Sequence, residues 1–440
     1  MPKKRRYLAR LLDLHDLAAL SREMERIEVD SGGVPVMAPK GVYRNILLEG
    51  ISVKAANVLK QEILARGGDA AVPYFVADMV DTTCDVVLLG NLVSLRSFVA
   101  KCYRNPVFDL PAIADAVQEV LVHTVPGYIR VARNPKATVA EFDDDLYGGR
   151  IPGGPRSPGA PTLVDLGPYH WEFGKKTYVM GIVNATTDSF SDDGLDGDVE
   201  ALVRRAHQMV ADGADIIDVG GESSERRGHE PVTAREEIEH IVPVIRRLRE
   251  TLNVPISVDT WKAEVAAAAL AAGAQMINDV GAMRRDPAMR DVVAQSGAPI
   301  VVMHSQEGTA YRDIVGDIAH FFEGVIREAM AAGIKEEQIA LDAGFGFGKS
   351  VHQDLLVTRR LREFTSFGRP ILHAPSRKRT IGRVLGYPDT VEERLLGTGA
   401  AVAIGIQNGA DIVRVHDVLD MARCARMTDA LVRGYDGPDE

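Results

Sequence analysis

From residue 178 onward the chain repeats one arrangement of apolar and polar positions eight times. Each unit is a short apolar run, a polar or glycine-rich turn, and an amphipathic stretch of about 10 to 20 residues at helical spacing. The runs cover 178–184, 215–221, 255–260, 275–280, 299–304, 339–344, 370–376 and 411–417. Continuous Val, Ile and Leu runs separated by helices predict buried parallel strands. Eight evenly spaced units over about 250 residues predict closure into a (β/α)8 barrel, with an open doubly wound sheet as the competing arrangement. Thr233 and Glu236 form a capping-box pair, and Gly213, Gly273 and Gly333 stand where helices should stop.

Ahead of the barrel the pattern changes. Residues 51–68 repeat apolar positions at helical spacing, and 84–91 form a short β-branched run, which predicts a small α/β domain of unknown role over 1–133. Residues 134–176 hold Asp143, Asp144, Asp145 and a Gly/Pro-rich stretch over 151–161, and read as a linker. The barrel then covers 177–433, leaving 434–440 as a tail.

Composition narrows the classes. The chain has 440 residues, 46% hydrophobic and 26% charged, which suits an ordinary folded protein of two or more domains. Its 51 basic and 62 acidic residues give a net charge of −11, which argues against nucleic acid or an anionic membrane as a partner. Cys84, Cys102 and Cys424 have no C-x-x-C spacing, so neither a disulfide framework nor a zinc knuckle is expected, and a reducing cytoplasm fits. The basic start at Lys3 to Arg6 is followed by Arg10, Asp13 and Asp16, which interrupt any signal-peptide core; no run reaches the length of a membrane span.

Polar residues collect at the carboxyl ends of the eight runs, the face on which barrel enzymes build their sites. They are Asn184, Glu222, Asp259, Asn278, Asp279, His304, Asp342, Ser376, Arg377, Lys378, Arg414 and His416. Any one of them also suits a helix cap. Asp259, Asp342, Arg414 and His416, however, lie within or at the end of apolar runs, where charge needs a partner or a ligand. Asp259, Asn278 and Asp342 match a flat heterocycle with adjacent N–H donors and a carbonyl, because a carboxylate accepts two parallel hydrogen bonds from such an edge. Lys378, Arg414 and His416 offer donors to a phosphate or diphosphate.

These residues fall in motifs. GIVNATTDSFSD (181–192), DVGGESS (218–224), SVDT (257–260), IND (277–279), VMH (302–304), DAGFGFGK (342–349), SRK (376–378) and RVHD (414–417) occur in the order found in the dihydropteroate synthases, which residues 177–433 resemble. The resemblance implies a pterin-binding barrel that joins 4-aminobenzoate to 6-hydroxymethyl-7,8-dihydropterin diphosphate, releasing diphosphate with Mg2+, and a homodimer. It implies that Asp259, Asn278, Asp342 and Lys378 hold the pterin, with Val280, Met303 and Phe347 lining the pocket. Asn184 would meet the metal, and Arg414 and His416 the diphosphate. Asp188 and Ser189 would lie on a first loop over the reacting centre, Ser224 on a second loop, and Ser376 near the aminobenzoate. Arg414→Ala would then weaken the diphosphate-bearing substrate more than the free pterin.

The chain departs from the family pattern at Thr187, Asp193, Ala343 and Arg379, and in a second loop one residue longer, with Glu225 in place of an arginine. Most of these positions belong to the aminobenzoate side. Arg226, Arg227 and Arg379 leave open a phosphorylated ribosyl aminobenzene as second substrate. Pterin-dependent methyltransferases share the barrel and its Asp and Asn pterin clamps and are the enzyme alternative, against which Ser376 to Lys378 and Arg414 to His416 favour the synthase; the altered second loop leaves room for a non-catalytic pterin-binding protein.

Overall fold

The computed structural model describes residues 10–12, 14–133, 166, 168–169, 171–185, 199–222, 232–435 and 437–438. They fall into two compact units that divide between Gly159 and Ala160. Asp188, Ser189, Ser224, Glu225, Arg226, Arg227 and most of the expected linker lie outside the described residues.

The first unit is a three-stranded antiparallel sheet with β1 (Tyr43–Ser52), β2 (Asp69–Ala71) and β3 (Thr83–Asn91) in the order β1-β3-β2. Ile46, Leu48, Val86 and Leu88 face helices that contribute Leu59, Ile63, Leu95 and Phe98 to a shared core. The helix expected from residue 51 begins at Val53 instead. Ile51 and Ser52 end β1, and the Ser52 hydroxyl caps the helix Val53–Leu64 by accepting from Ala55 N–H at 3.2 Å. Asn91 caps the helix Leu92–Arg104 in the same way, at 2.9 Å to Ser94 N–H.

The second unit closes as predicted. The strands β4 (Tyr178–Asn184), β5 (Ile216–Gly220), β6 (Ile256–Asp259), β7 (Met276–Asp279), β8 (Ile300–Met303), β9 (Ile339–Asp342), β10 (Ile371–His373) and β11 (Ile412–Val415) form one parallel barrel, with β11 returning to β4. Helices follow the strands, and the capping box at Thr233 and Glu236 is fully formed.

Strand alternation decides what faces the interior. Val179, Val219, Val258, Ile277, Val302, Leu341 and Val413 point outward into the helices. Met180, Ile216, Met276, Val301, Ala340, Leu372 and Ile412 point inward and make an apolar floor. Two residues further along five of these strands, on the same inward side, stand Asp218, Asn278, Met303, Asp342 and Arg414. The polar site is thus the layer directly above the floor.

The far end of the expected linker belongs to this unit. Trp171 stacks on Tyr178 at a centroid distance of 4.0 Å, Phe173 meets both rings edge-on, and Leu166 joins the same cluster. Apolar aromatic side chains in a Gly/Pro-rich neighbourhood carry no periodicity, so a plug that closes the barrel floor reads as linker from sequence.

Candidate active site at the barrel mouth

The layer above the floor is organised around one guanidinium. Arg414 donates from Nε to Asp218 Oδ2 and from Nη2 to Asp259 Oδ2, each at 2.6 Å. Asp218 is fully buried, and its Oδ2 also accepts from Asn278 Nδ2 at 3.1 Å. Its Oδ1 is buried with no hydrogen-bond partner among the described residues. Asp218 lies mid-strand, a charge at an inward position of an otherwise apolar run, so strand alternation was the signal that would have found it.

These pairings set the charge states. Burial pushes the Asp259 carboxyl up to about 7 against the pull of Arg414, with Asp218 adding to the rise. Burial also raises Asp342, while the Gly344 N–H, donating to Asp342 Oδ1 at 2.7 Å, favours its ionised form. Lys378 bears on both carboxyls electrostatically, and its Nζ lies 4.3 Å from the centre of the Phe347 ring. Asp259, Asn278, Asp342, Lys378 and Phe347 are therefore gathered in one place. Met303, buried, is the register partner of Asp342, and Val280 is half-buried at the end of the neighbouring strand.

The turn that presents Lys378 is held from several sides. Arg377 has φ +58°, a left-handed backbone that costs a non-glycine residue energy unless its surroundings enforce it. Its side chain forks onto Asp417 at 3.0 and 2.6 Å, its N–H donates to Thr398 Oγ1 at 3.2 Å, and its carbonyl accepts from buried Arg394 at 2.7 Å. Buried Asp354 ties this turn to the β9 loop: one oxygen accepts from Gly346 N–H at 2.8 Å and the other from Thr380 Oγ1. Thr398, Arg394 and Asp354 are invisible to motif reading because they lie at positions with no motif and hold the turns largely through backbone groups.

Ser376 and His416 meet directly. Ser376 Oγ accepts the His416 backbone N–H at 3.1 Å and lies 3.0 Å from its Nδ1. With the hydroxyl donating to Nδ1, the ring proton sits on Nε2. Burial and the charges of Arg377, Arg414 and Lys378 hold this histidine far below its ordinary range, so it is a neutral N–H donor.

Three residues have local duties instead. Asp279 accepts from Gly281 and Met283 N–H at 2.7 and 2.6 Å and so caps its own turn. Lys349 donates to the carbonyls of Gly344 and Phe347 at 2.9 and 3.0 Å and lies 3.2 Å from His304 Nδ1, which burial and the Lys349 charge keep neutral, at about 3. Gly344, with φ +69°, passes so close to His304 that an added Cβ would lie 1.9 Å from its carbonyl oxygen. Glu222 turns away to Lys262. A cleft of about 510 Å³ borders the mouth at Met303 and His304, with Arg284 and Phe321 on its wall; Asp259, Asp342 and Lys378 take no part in it.

An inward layer of acids and an amide beside cationic and neutral donors, at the carboxyl end of a closed parallel barrel, is the arrangement of a barrel enzyme's active site. The pterin binding enzyme family matches residues 180–416. The chain is 47% identical to the dihydropteroate synthase of Bacillus subtilis (strain 168) over 270 residues, 61% of this chain and 94% of that protein. A crystal structure of the dihydropteroate synthase of Clostridium difficile in the presence of pteroic acid, 48% identical, superposes with a TM-score of 0.57 and covers 60% of this chain and all of that one. The chain belongs to the pterin-binding enzymes and, among them, to the dihydropteroate synthase family.

A further relative matches along both units. A probable bifunctional folylpolyglutamate synthase/dihydropteroate synthase of Halobacterium salinarum is 35% identical over 432 residues, 96% of this chain. The chain spans 47% of that protein.

Proposed function

We propose that the chain condenses 6-hydroxymethyl-7,8-dihydropterin diphosphate with 4-aminobenzoate to give 7,8-dihydropteroate and diphosphate, a step of folate synthesis. The observation that carries this reading is the single inward layer in which Asp259, Asn278 and Asp342 gather beside Lys378, Arg414 and His416.

In the reaction the bond between the pterin methylene carbon and the diphosphate oxygen breaks, and the departing diphosphate takes the electron pair. The aryl amine nitrogen then forms the C–N bond and loses a proton. Asp259 and Asp342 accept from the pterin ring, and their charge favours the positive methylene that develops as the anion leaves. Lys378 covers the ring face with Phe347 behind it. His416, neutral and donating from Nε2, suits a diphosphate oxygen, as does the outer edge of Arg414. Ser376, held against His416, stands at the same end of the site for the aminobenzoate.

The donor set fits Mg2+ arriving with the diphosphate. This ion keeps several waters and takes one or two protein oxygens beside substrate phosphates. Asn184 ends β4 half-buried, with no side-chain hydrogen bond among the described residues, and would be its protein ligand. No group of three His, Cys, Asp or Glu able to hold a metal occurs among the described residues. When bound, the ion neutralises charge on the leaving group. Asp188, Ser189 and Ser224 are proposed to complete the site from their loops.

The three cysteines are free, and no described helix is long and apolar enough to cross a membrane, which supports a cytoplasmic enzyme. Exposed Val384, Leu385, Tyr387 and Leu396 after β10 support a homodimer.

The test is Mg2+-dependent diphosphate release from the pterin diphosphate, with 4-aminobenzoate compared with its ribosyl-phosphate derivative. Turnover with 4-aminobenzoate is expected. Preference for the phosphorylated amine would reassign the second substrate, and methyl transfer to a cobalamin protein without diphosphate release would overturn the reading.

Asp259 also gives the binding a pH dependence. The ring N–H groups need its ionised form, so affinity is lost as pH falls through the raised value near 7. Calorimetry with free pterin between about pH 6 and 8 should show tighter binding at the upper end. A flat profile would mean that Asp259 does not accept from the ring.

A further inference from the structure

Lys262 lies three residues beyond Asp259, just before the helix Ala263–Ala272, yet its side chain is only 9% exposed. Its ammonium donates to Glu222 Oε2 at 2.7 Å and to Glu237 Oε2 at 2.5 Å. Trp261 closes one side, its ring centre 5.1 Å from Lys262 Nζ, with the Arg285 guanidinium 3.9 Å from the same ring centre. Burying Lys262 and Glu237, with Glu222 partly buried beside them, is expensive, and beside an interior built from Ile241, Val244 and Val265 a packed apolar cluster would be at least as stable. The placement of the two acids indicates what the cluster does.

Glu222 is the last described residue before 223–231, and Glu237, 1% exposed, lies in the first turn of the helix Ala234–Thr251 that follows. One lysine on the Asp259 turn thus grips the stretch leading into that segment and the stretch leading out of it. The incoming backbone is pressed against the outgoing helix: a Cβ at Gly221 would lie 2.7 Å from Glu237 Cγ and 2.9 Å from Ile241 Cγ2. Gly220, one residue earlier, is the register partner of Asp259. Asp259, Asn278 and Asp342, in contrast, are carried by their own strands and take no bond from the cluster, whose Glu237 reaches Asp259 only through its charge, in the direction that opposes the ionised form.

We propose that Lys262, through Glu222 and Glu237, is a positioning residue that fixes both stems of the β5 loop against the end of β6, so that it governs turnover with the second substrate and not pterin binding. The enzymatic part of this inference rests on the function proposed above; the structural part does not.

Lys262→Met alone leaves the buried Glu237 carboxylate beside that of Glu222 with their shared cation gone, and risks the fold. The informative variant is therefore K262M/E222Q/E237Q, which removes all three charges at similar volume. It should remain folded and bind free pterin within about threefold of the parent, while kcat/KM for the aryl amine at saturating pterin diphosphate falls by about tenfold or more. Hydrogen exchange should quicken at 221–222 and 232–237 and be unchanged at 276–279. Parent-like kcat/KM in the folded variant, or a parallel loss of pterin affinity, would overturn the positioning role. Unchanged exchange at both stems would overturn the clamp itself, and because exchange is read without substrate, that result stands apart from any failure of the parent to turn over.

Discussion

Asp259→Ala is expected to remove measurable pterin binding while leaving a folded barrel. The carboxylate offers the ring charge-assisted bonds in a largely buried site, each worth about 1.5–3 kcal/mol. Losing two of them corresponds to roughly a hundredfold to twenty-thousandfold in Kd, at about 1.4 kcal/mol per factor of ten. Arg414 keeps its second carboxylate, Asp218, at 2.6 Å, so the guanidinium is not abandoned. Calorimetry with free pterin, with thermal unfolding as a control, reads both parts. A folded variant with the parent's affinity would remove Asp259 from the site.

Arg414→Met should cost the most stability of any change at the mouth, and this expectation differs from the one the motif alone suggests. Read as a diphosphate ligand only, Arg414 could be removed with little harm to free pterin binding. In the structure its guanidinium lies between Asp218, fully buried, and Asp259, 11% exposed in its side chain. Removing it leaves two carboxylates near one another without their paired cation, with only the Lys378 charge still bearing on Asp259, a loss of about 3–5 kcal/mol. Free pterin affinity should fall as well, because Asp259 then drifts toward its protonated form. Arg414→Met/Asp218→Asn should recover part of the stability, since it removes one of the two stranded charges. Equal unfolding temperatures for parent and Arg414→Met would show that the pairing contributes nothing.

The eight strands are legible because each is a compact Val/Ile/Leu run: 178–184 matches β4 at both ends, and the other runs differ from their strands by one to three residues at an edge. What the sequence hides depends on contacts between distant positions. Asp218 and Arg414 are far apart in the chain and adjacent only because β11 closes onto β4, beside β5. Lys262 reads as an ordinary charged residue at a helix start until Glu222 and Glu237 are folded around it. The aromatic plug at Trp171 and Phe173 has no period to detect, and the helical spacing that starts at Ile51 masks the alternation of β1 just before it. Asp279, in contrast, sits among the site residues by position alone, and its carboxylate serves its own turn.

The division of labour in the mouth is tested most directly by one calorimetric comparison: free 6-hydroxymethyl-7,8-dihydropterin and its diphosphate titrated into the parent, Asp259→Asn and His416→Ala. Asp259→Asn should lower affinity for both ligands by the same factor, and His416→Ala should remove only the extra affinity that the diphosphate brings. If His416→Ala weakens both ligands equally, or Asp259→Asn spares the free pterin, the acids and the donors do not read separate parts of one substrate.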